Sequence, residues 1–119
     1  MIMSLHAGLG AVLDEGLDAA ITRHAECGDR LQRGLVDLGF VLVAAEGHRL
    51  PELTTVWVPD SLDDAEARAT LLGRYGIEVG GGLGEFAGRV WRIGCMGHTA
   101  RQRNVTLLLG ALAELVGER

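Results

Sequence analysis

Residues 89–96 read RVWRIGCM, and this segment decides more about the fold than any other. Successive side chains of a strand point to opposite faces of a sheet, so the segment is predicted to be a strand with one hydrophobic face. That face carries three residues: Trp91, Ile93 and Cys95. If it packs against helices, Arg92 projects from the opposite face of the sheet, beside the small Gly94.

Arg92 has two interpretations at this point. An arginine on the open face of a sheet is often no more than a solvated surface residue. Alternatively, a rigid strand holds the guanidinium so that its two-pronged fork binds a carboxylate. Gly94 would then leave room for a ligand or a facing domain.

Hydrophobic periodicity and turn residues divide the rest of the chain into further elements. The predicted order is helix, helix, strand, strand, helix, strand, strand, helix, over residues 2–13, 17–38, 40–44, 53–58, 62–75, 77–79, 89–96 and 99 onward. Gly16 is predicted to separate the first helix from the second, and Gly39 and Gly76 are predicted to end the second and third helices. Hairpin-like and crossover connections alternate, which predicts an α+β fold: a small antiparallel or mixed sheet with helices packed on one face.

Each longer helix is predicted to bury one stripe of residues. In the second helix the stripe is Leu17, Ile21, His24, Cys27 or Gly28, Leu31, Leu35 and Leu38. In the third it is Leu62, Ala65, Ala69 and Leu72, with Asp60 or Ser61 as the N-terminal cap. In the last it is Val105, Leu108, Leu109, Leu112 and Val116, after a capping box formed by Thr99 and Gln102.

Composition excludes several classes of protein. A length of 119 residues predicts one domain, and 48% hydrophobic with 23% charged residues is typical of a globular chain rather than a disordered one. A net charge of -5 argues against nucleic acid as a partner. No apolar run reaches the roughly 18 residues that a membrane span requires, so no membrane partner is expected.

The cysteines and histidines show no spacing typical of a metal site. Cys27 and Cys95 are predicted to be reduced, buried thiols of the cytosolic type. The four histidines are His6, His24, His48 and His98. His98 is expected to belong to the N-terminal turn of the final helix rather than to act as a base.

A glycine-rich segment, residues 80–84, precedes the decisive strand. Gly82 to Ala87 fits the pattern G-x-G-x-x-A, but a dinucleotide site needs a helix directly afterwards, and a strand is predicted there instead. We therefore expect a turn that needs a positive φ, or a backbone that passes close to another surface. A bare backbone of this kind can also line a substrate pocket.

All 11 basic residues are arginine, so the chain contains no lysine. A chain without lysine cannot form a Schiff base through a side chain and has no phosphate-loop lysine. This excludes both mechanisms for these 119 residues by themselves.

Two longer stretches carry a family resemblance. Residues 74–100, RYGIEVGGGLGEFAGRVWRIGCMGHTA, and residues 48–59, HRLPELTTVWVP, resemble the small C-terminal domain of class V aminotransferases. The alanine–glyoxylate, serine–pyruvate and serine–glyoxylate transaminases form the most similar branch. Residues 1–24 are similar to the long helix that joins the two domains of that family, so the resemblance covers essentially the whole chain.

The resemblance implies a dimer in which a large domain carries pyridoxal phosphate and its lysine, while the small domain closes over an amino or keto acid. It implies that Arg92 binds the substrate carboxylate and that Gly80, Gly81 and Gly82 lie near the active-site entrance. Residues 1–14 would belong to the interdomain helix and residues 15–119 to the small domain. No pyridoxal phosphate is expected on this chain alone, because it lacks the lysine, and it should not transaminate by itself.

Three functions stay open at this stage. In the first, the chain is the carboxyl-terminal part of an aminotransferase, as the uncapped start of its first helix also suggests. In the second, it is a free-standing interaction domain. In the third, it is a module that binds a keto or amino acid through Arg92 and the glycine segment. A cytoplasmic location is expected by default, because the final tripeptide Gly-Glu-Arg is no peroxisomal address.

Overall fold

The computed structural model of the chain describes residues 1–117. Its helices are α1 (Ile2–Glu15), α2 (Leu17–Asp37), α3 (Asp64–Tyr75) and α4 (Gln102–Gly117), and its strands are β1 (Val41–Leu42), β2 (Leu53–Trp57), β3 (Gly80–Gly81) and β4 (Val90–Gly94). Short 3-10 turns occupy Gly84–Phe86 and Gly97–Thr99. The predicted order of helices and strands is confirmed; Glu118 and Arg119, used in the prediction on the final tripeptide, lie outside the described residues.

The four strands form one antiparallel sheet in the order β1-β2-β4-β3. Its centre is the five-residue pairing of β2 with β4, in which Thr55 lies opposite Arg92 and Val56 opposite Trp91. Each edge strand contributes only two residues. The predicted α+β class is thus confirmed, with every strand pair antiparallel among the described residues.

The core lies between the inner face of the sheet and the helices. Trp91, the largest fully buried side chain, is in ring contact with Phe40 at 6.0 Å between centroids. Leu31 and Leu35 of α2 belong to the same cluster. Further members from the other helices and the sheet are Val56, Leu71, Ile93, Val105, Leu108, Ala111 and Leu112.

Glycine sets two of the helix ends. At Gly16 the backbone has φ 89°, a value unfavourable for residues other than glycine, and α1 ends there before α2 begins. Gly39 also has φ 89°. Its N–H bonds to the carbonyl of Val36 while the N–H of Phe40 bonds to that of Leu35, which is the Schellman closure of α2. Both breaks confirm the sequence prediction, as does Gly76 at the end of α3.

The predicted details of α3 are wrong. Its cap is Asp63, whose side chain accepts from the N–H of Glu66 at 2.9 Å, rather than Asp60 or Ser61. Leu62 is buried as predicted, but it precedes the helix in a turn and so does not set the helical phase. The buried helical residues are Ala67 and Leu71, whereas Ala65, Ala69 and Leu72 are exposed.

Two other helix predictions are partly wrong. The stripe of α2 is buried from Cys27 onward, but Leu17 and Ile21 are exposed because that end of the helix extends past the sheet-packed core. The capping box of Thr99 and Gln102 does not form, since the Thr99 hydroxyl donates instead to the carbonyl of Met96 at 2.8 Å. The stripe of α4 is confirmed at three positions, Val105, Leu108 and Leu112, with Leu109 and Val116 half-buried.

The strands differ from prediction at their ends. Residues 77–79, expected as a strand, belong to none, whereas Gly80–Gly81, expected as loop, form the edge strand β3 against β4. No helix in the described part of the chain is long and apolar enough to cross a bilayer.

Helix α1 differs from the other helices in burying none of its residues. Its exposed hydrophobic side chains include Ile2, Met3, Leu5, Leu9 and Leu13. Such a stripe on a helix is typical of a surface that packs against another protein segment.

Candidate functional site

Strand β4 presents Arg92 on the open face of the sheet, as the alternation predicted. Trp91 and Ile93 on either side of it are buried against the helices, whereas Arg92 and Gly94 are exposed. Cys95 continues the buried set beyond the end of the strand.

The guanidinium of Arg92 is anchored at one end. Its Nε donates to the carbonyl oxygen of Gly81 in the neighbouring strand at 2.8 Å. Within residues 1–117 the side chain forms no ion pair, and its two terminal nitrogens make no hydrogen bond. An arginine held by Nε keeps two parallel N–H groups for a planar acceptor, which is the geometry that binds a carboxylate through two hydrogen bonds.

Gly80 leaves the space beside Arg92 open. Gly80 lies directly opposite Arg92 in the β3–β4 pair, and a Cβ on Gly80 would lie 3.5 Å from Nη2 of that arginine. On the other side, Arg92 pairs across the sheet with Thr55 of β2. Arg92 and Gly80 are therefore neighbours, brought together by the pairing of the last two strands.

Gly82 has a different role, because it passes close to the backbone of Phe86. A Cβ on Gly82 would lie 2.6 Å from the carbonyl carbon of Phe86 and would overlap the attached oxygen. Both expectations for the glycine segment hold: a close approach at Gly82 and a positive φ, 57°, at Gly84. Between this segment and β4 lies a helical turn of three residues, Gly84–Phe86, so a strand and not the long helix of a dinucleotide site comes next.

Asp64 lies behind the site and was missed at the sequence level. Its Oδ1 accepts from Nε1 of Trp91 at 2.7 Å and from Nε of Arg68 at 2.8 Å, and its Oδ2 accepts from Nη2 of Arg68 at 3.0 Å. The hydrogen bonds from Arg68, assisted by that from Trp91, hold the pKa of the Asp64 carboxyl below its usual value. The i, i+4 spacing of Asp64 and Arg68 could have suggested the ion pair; nothing local could have suggested Trp91.

The other end of the open sheet face is apolar. Trp57 and Phe86 are in ring contact at 5.9 Å, and Val90 is buried on this face although it lies outside the main core. The guanidinium carbon of Arg89 stands 5.4 Å from the centroid of the Trp57 ring. Arg89 is thus engaged by an aromatic face, whereas Arg92 is not.

The remaining candidates have structural roles. Nδ1 of His24 lies 2.6 Å from the carbonyl of Ala20, and its Nε2 accepts from the N–H of Gly97 at 2.8 Å, so the ring joins α2 to the turn after β4. His98 lies in that turn, ahead of α4 rather than within it, because the helix begins three residues after Thr99. Among residues 1–117 no group of three His, Cys, Asp or Glu side chains is arranged to hold a metal ion.

Both cysteines are free and buried, as predicted. Burial raises the pKa of the Cys95 thiol. A thiol that is harder to ionise is a poor nucleophile, so Cys95 has a packing role.

A second arginine joins α1 to the turn that follows β4. Nε and Nη2 of Arg23 donate to the Glu15 carboxylate at 2.5 and 2.9 Å, and its Nη1 donates to the carbonyls of Gly97 and Ala100 at 2.8 and 2.7 Å. The hydrogen bonds from Arg23 lower the pKa of Glu15. This arginine is fully occupied within the chain, in contrast to Arg92.

The known proteins that are similar to this chain are all named as transaminases or aminotransferases in the sequence comparison. No protein-family model matches the chain. It is 35% identical over 112 residues to the (S)-ureidoglycine–glyoxylate transaminase of Bacillus subtilis, and 40% identical over 114 residues to the alanine–glyoxylate aminotransferase of Callithrix jacchus. These alignments cover 94% and 95% of the chain but only 27% and 28% of the two relatives.

Solved structures agree with the sequence matches. The alanine–glyoxylate aminotransferase of Nostoc sp. superposes with a TM-score of 0.86 at 42% identity, covering 91% of this chain and 29% of that one. The ureidoglycine–glyoxylate aminotransferase of Bacillus subtilis gives a TM-score of 0.90 at 33% identity, covering 96% and 30%. Fold and sequence similarity thus define a domain of an aminotransferase. The chain belongs to the class V aminotransferases and corresponds to a C-terminal part of the alanine–glyoxylate and ureidoglycine–glyoxylate enzymes, spanning less than a third of their length.

Proposed function

We propose that this chain supplies substrate-carboxylate recognition to a class V aminotransferase, with Arg92 as the carboxylate-binding residue. The observation that carries the proposal is the state of Arg92: exposed on a rigid strand, anchored through Nε, and free of any carboxylate partner within the described residues. The alternative interpretation, a solvated surface arginine, does not account for the anchor or for the open space at Gly80 beside it.

The chemistry of the substrates fits such a group. The curated relatives are named for alanine, glyoxylate and ureidoglycine, all of which carry one carboxylate. A residue that binds that carboxylate serves both the amino donor and the keto acceptor. Two parallel N–H···O bonds also fix the plane of the carboxylate, which orients the neighbouring α-carbon for reaction.

Pyridoxal phosphate does not fit these 119 residues by themselves. Its aldehyde is held in enzymes as a Schiff base with a lysine amine, and the sequence contains no lysine. We therefore assign the cofactor to a large domain of the kind present in the longer relatives. Arg92 would then act on the substrate, not on the cofactor.

Helix α1 is the proposed contact with that domain. It buries none of its residues against the rest of the chain, and its hydrophobic side chains are exposed. We assign residues 1–14 to an interdomain helix and residues 15–119 to the small domain, in an enzyme that is a homodimer. The two free, buried cysteines support a cytoplasmic location as part of this proposal.

The same exposed stripe favours a second candidate, a free-standing interaction domain without catalysis. The two candidates differ in what accompanies the chain in its own source. We would purify it and measure native mass and visible absorption: a lysine-bearing partner with the yellow colour of a bound aldehyde cofactor supports the aminotransferase. A colourless species of this chain alone supports the interaction domain and contradicts the first proposal.

The role of Arg92 is tested in the assembled enzyme. Arg92→Lys should raise KM for the amino acid about ten-fold or more, since a point charge replaces two aligned charge-assisted hydrogen bonds. Arg103→Lys, at an exposed arginine of α4, is the matched control and should leave KM unchanged. An unaltered KM in the Arg92 variant would remove the carboxylate role.

A further inference from the structure

The strand that anchors Arg92 is weak by itself. β3 consists of two glycines, pairs only with β4 and forms an edge of the sheet. Glycine offers no side chain to pack and loses more conformational freedom on ordering than other residues. Yet the carbonyl of Gly81 accepts the Nε bond of Arg92, so the position of the guanidinium depends on something else that holds β3 in place.

That support comes from α3. The guanidinium of Arg68 lies against the inner side of β3: a Cβ on Gly81 would be 3.6, 3.7 and 3.8 Å from Cζ, Nη2 and Nε of Arg68. The three distances are nearly equal, so the flat face of the guanidinium is turned toward the inner side of Gly81. A Cβ at Gly81 would be in ordinary van der Waals contact with Arg68, so the space between this strand and the guanidinium holds no more than a small side chain.

Asp64 fixes the orientation of Arg68. It takes two hydrogen bonds from that guanidinium and a third from the indole N–H of Trp91, the residue that precedes Arg92 in β4 and pairs with Gly81. One carboxylate thus reaches both strands: β4 directly through Trp91, and β3 through Arg68.

We infer that Asp64 is a positioning residue for Arg92, acting through Trp91 and Arg68 to hold the β3–β4 pair on which the guanidinium is anchored. Its importance for substrate recognition rests on the proposed function of Arg92; its effect on the anchor does not. The lowered pKa of Asp64 supports the inference, because a carboxylate that stays ionised keeps all three bonds. The pair is also sheltered, with side-chain exposures of 16% for Asp64 and 36% for Arg68.

The test measures the anchor itself in the full 119-residue chain. The exchange rate of the Arg92 Nε–H proton, monitored by nitrogen-resolved NMR, reports whether its hydrogen bond to the Gly81 carbonyl stays formed. In Arg68→Met, which removes the guanidinium but keeps a long side chain, this exchange should become about ten-fold faster. The amides of β2 should keep their protection, since the β2–β4 pairing is untouched.

A second variant and a control complete the design. Asp64→Asn should give the same local acceleration, and Arg68→Met carries the test if Asp64→Asn fails to fold, because it leaves the Asp64–Trp91 bond in place. Glu66→Gln removes an exposed acid from the same first turn of α3, with no hydrogen bond to Trp91 or Arg68, and should change nothing. Unaltered Arg92 exchange in Arg68→Met, or equal acceleration at Arg92 and throughout β2, overturns the inference.

Titration with pyruvate separates this inference from the proposed function. If the wild-type chain shows no pyruvate-dependent shift at Arg92 while Arg68→Met still releases the anchor, the positioning network stands and the proposed carboxylate role loses support. If pyruvate shifts Arg92 equally in wild type and Arg68→Met with unchanged exchange, the carboxylate role stands and the positioning role is overturned.

Discussion

Nε of Arg92 lies 2.8 Å from the carbonyl oxygen of Gly81, a residue 11 positions earlier in the chain and adjacent to it in the sheet. A free arginine side chain samples many rotamers, and ordering it on binding a ligand costs roughly 0.5–1.5 kcal/mol. Here the protein has already restricted the side chain before any ligand arrives. The Gly81 carbonyl therefore turns a flexible surface cation into a preorganised one.

The space above Gly80 should control access to the Arg92 fork. A side chain at Gly80 would stand beside Nη2, so Gly80→Val should weaken binding of a carboxylate about ten-fold, by covering one of the two N–H groups. Gly80 is not among the glycines with positive φ, but a Cβ there would stand 3.3 Å from the backbone carbonyl oxygen of Arg92, so the free energy of unfolding should also fall by about 1–2 kcal/mol. Calorimetric titration together with urea unfolding checks both values; tight binding by a folded Gly80→Val protein would contradict the open-fork geometry.

Gly82 and Gly110 should respond in opposite directions to the same substitution. Gly82→Ala places a methyl group against the backbone carbonyl of Phe86 and should lower the free energy of unfolding by about 2 kcal/mol or more. Gly110→Ala, in the exposed interior of α4 with no neighbour within 4 Å, should raise it by about 1 kcal/mol. Thermal and urea unfolding of the two variants make the comparison. Equal effects would mean that Gly82 and Phe86 do not approach each other closely.

Helix α1 should be the least protected helix of the isolated chain. It buries no residue, whereas α4 buries five, so opening of α1 exposes little surface that was hidden. Amides of residues 2–13 should exchange at least about 100-fold faster than those in the middle of α4. Slowing of α1 exchange on adding a cofactor-bearing partner would identify the helix as the interdomain contact. Protection of α1 equal to that of α4 in the isolated chain argues against that assignment.

Acid should destabilise the chain through two carboxylates. Hydrogen bonds from Arg68 and Arg23 lower the folded-state pKa of Asp64 and Glu15. Because the folded pKa lies below the unfolded value of about 4, each stabilising contribution is fully present above that pH and is lost as the pH falls through the folded pKa. The urea midpoint should therefore drop from pH 5 toward pH 2.

Two variants test whether Asp64 contributes to this loss of stability at low pH. Asp64→Asn should show a shallower fall of the urea midpoint over this range, because the group that titrates has been removed, while Glu66→Gln should keep the wild-type slope. Identical slopes in all three proteins would show that the Asp64 pKa is not lowered by folding.

The sequence predicted most of the fold, with errors concentrated where local signals compete. The order of elements, the breaks at Gly16 and Gly39 and the two faces of β4 all follow from periodicity and glycine, which act within a few residues. The start of α3 was misplaced because Asp60, Ser61, Asp63 and Asp64 are all competent caps, and only the packed structure selects Asp63. The buried face of α3 was also predicted wrongly. The prediction counted the helical phase from Leu62, which precedes the helix.

Within the candidate site, Arg92 and the side of the sheet on which it lies could be predicted from the sequence. A strand with Trp91 and Ile93 inward must carry Arg92 outward, and a chain without lysine cannot hold an aldehyde cofactor by a Schiff base. The family resemblance then supplied the carboxylate role, which stays a proposal for this chain.

The way in which Arg92 is held depends on contacts between segments that are distant in the sequence. The Gly81 carbonyl reaches it from 11 residues away and Asp64 reaches Trp91 from 27 residues away. Helical and strand periodicity describe which face a residue occupies, but they contain no information about which distant segment packs on that face. The partners of Arg92 and Trp91 are set by the pairing of β3 with β4 and the docking of α3, which form only when the whole core is buried.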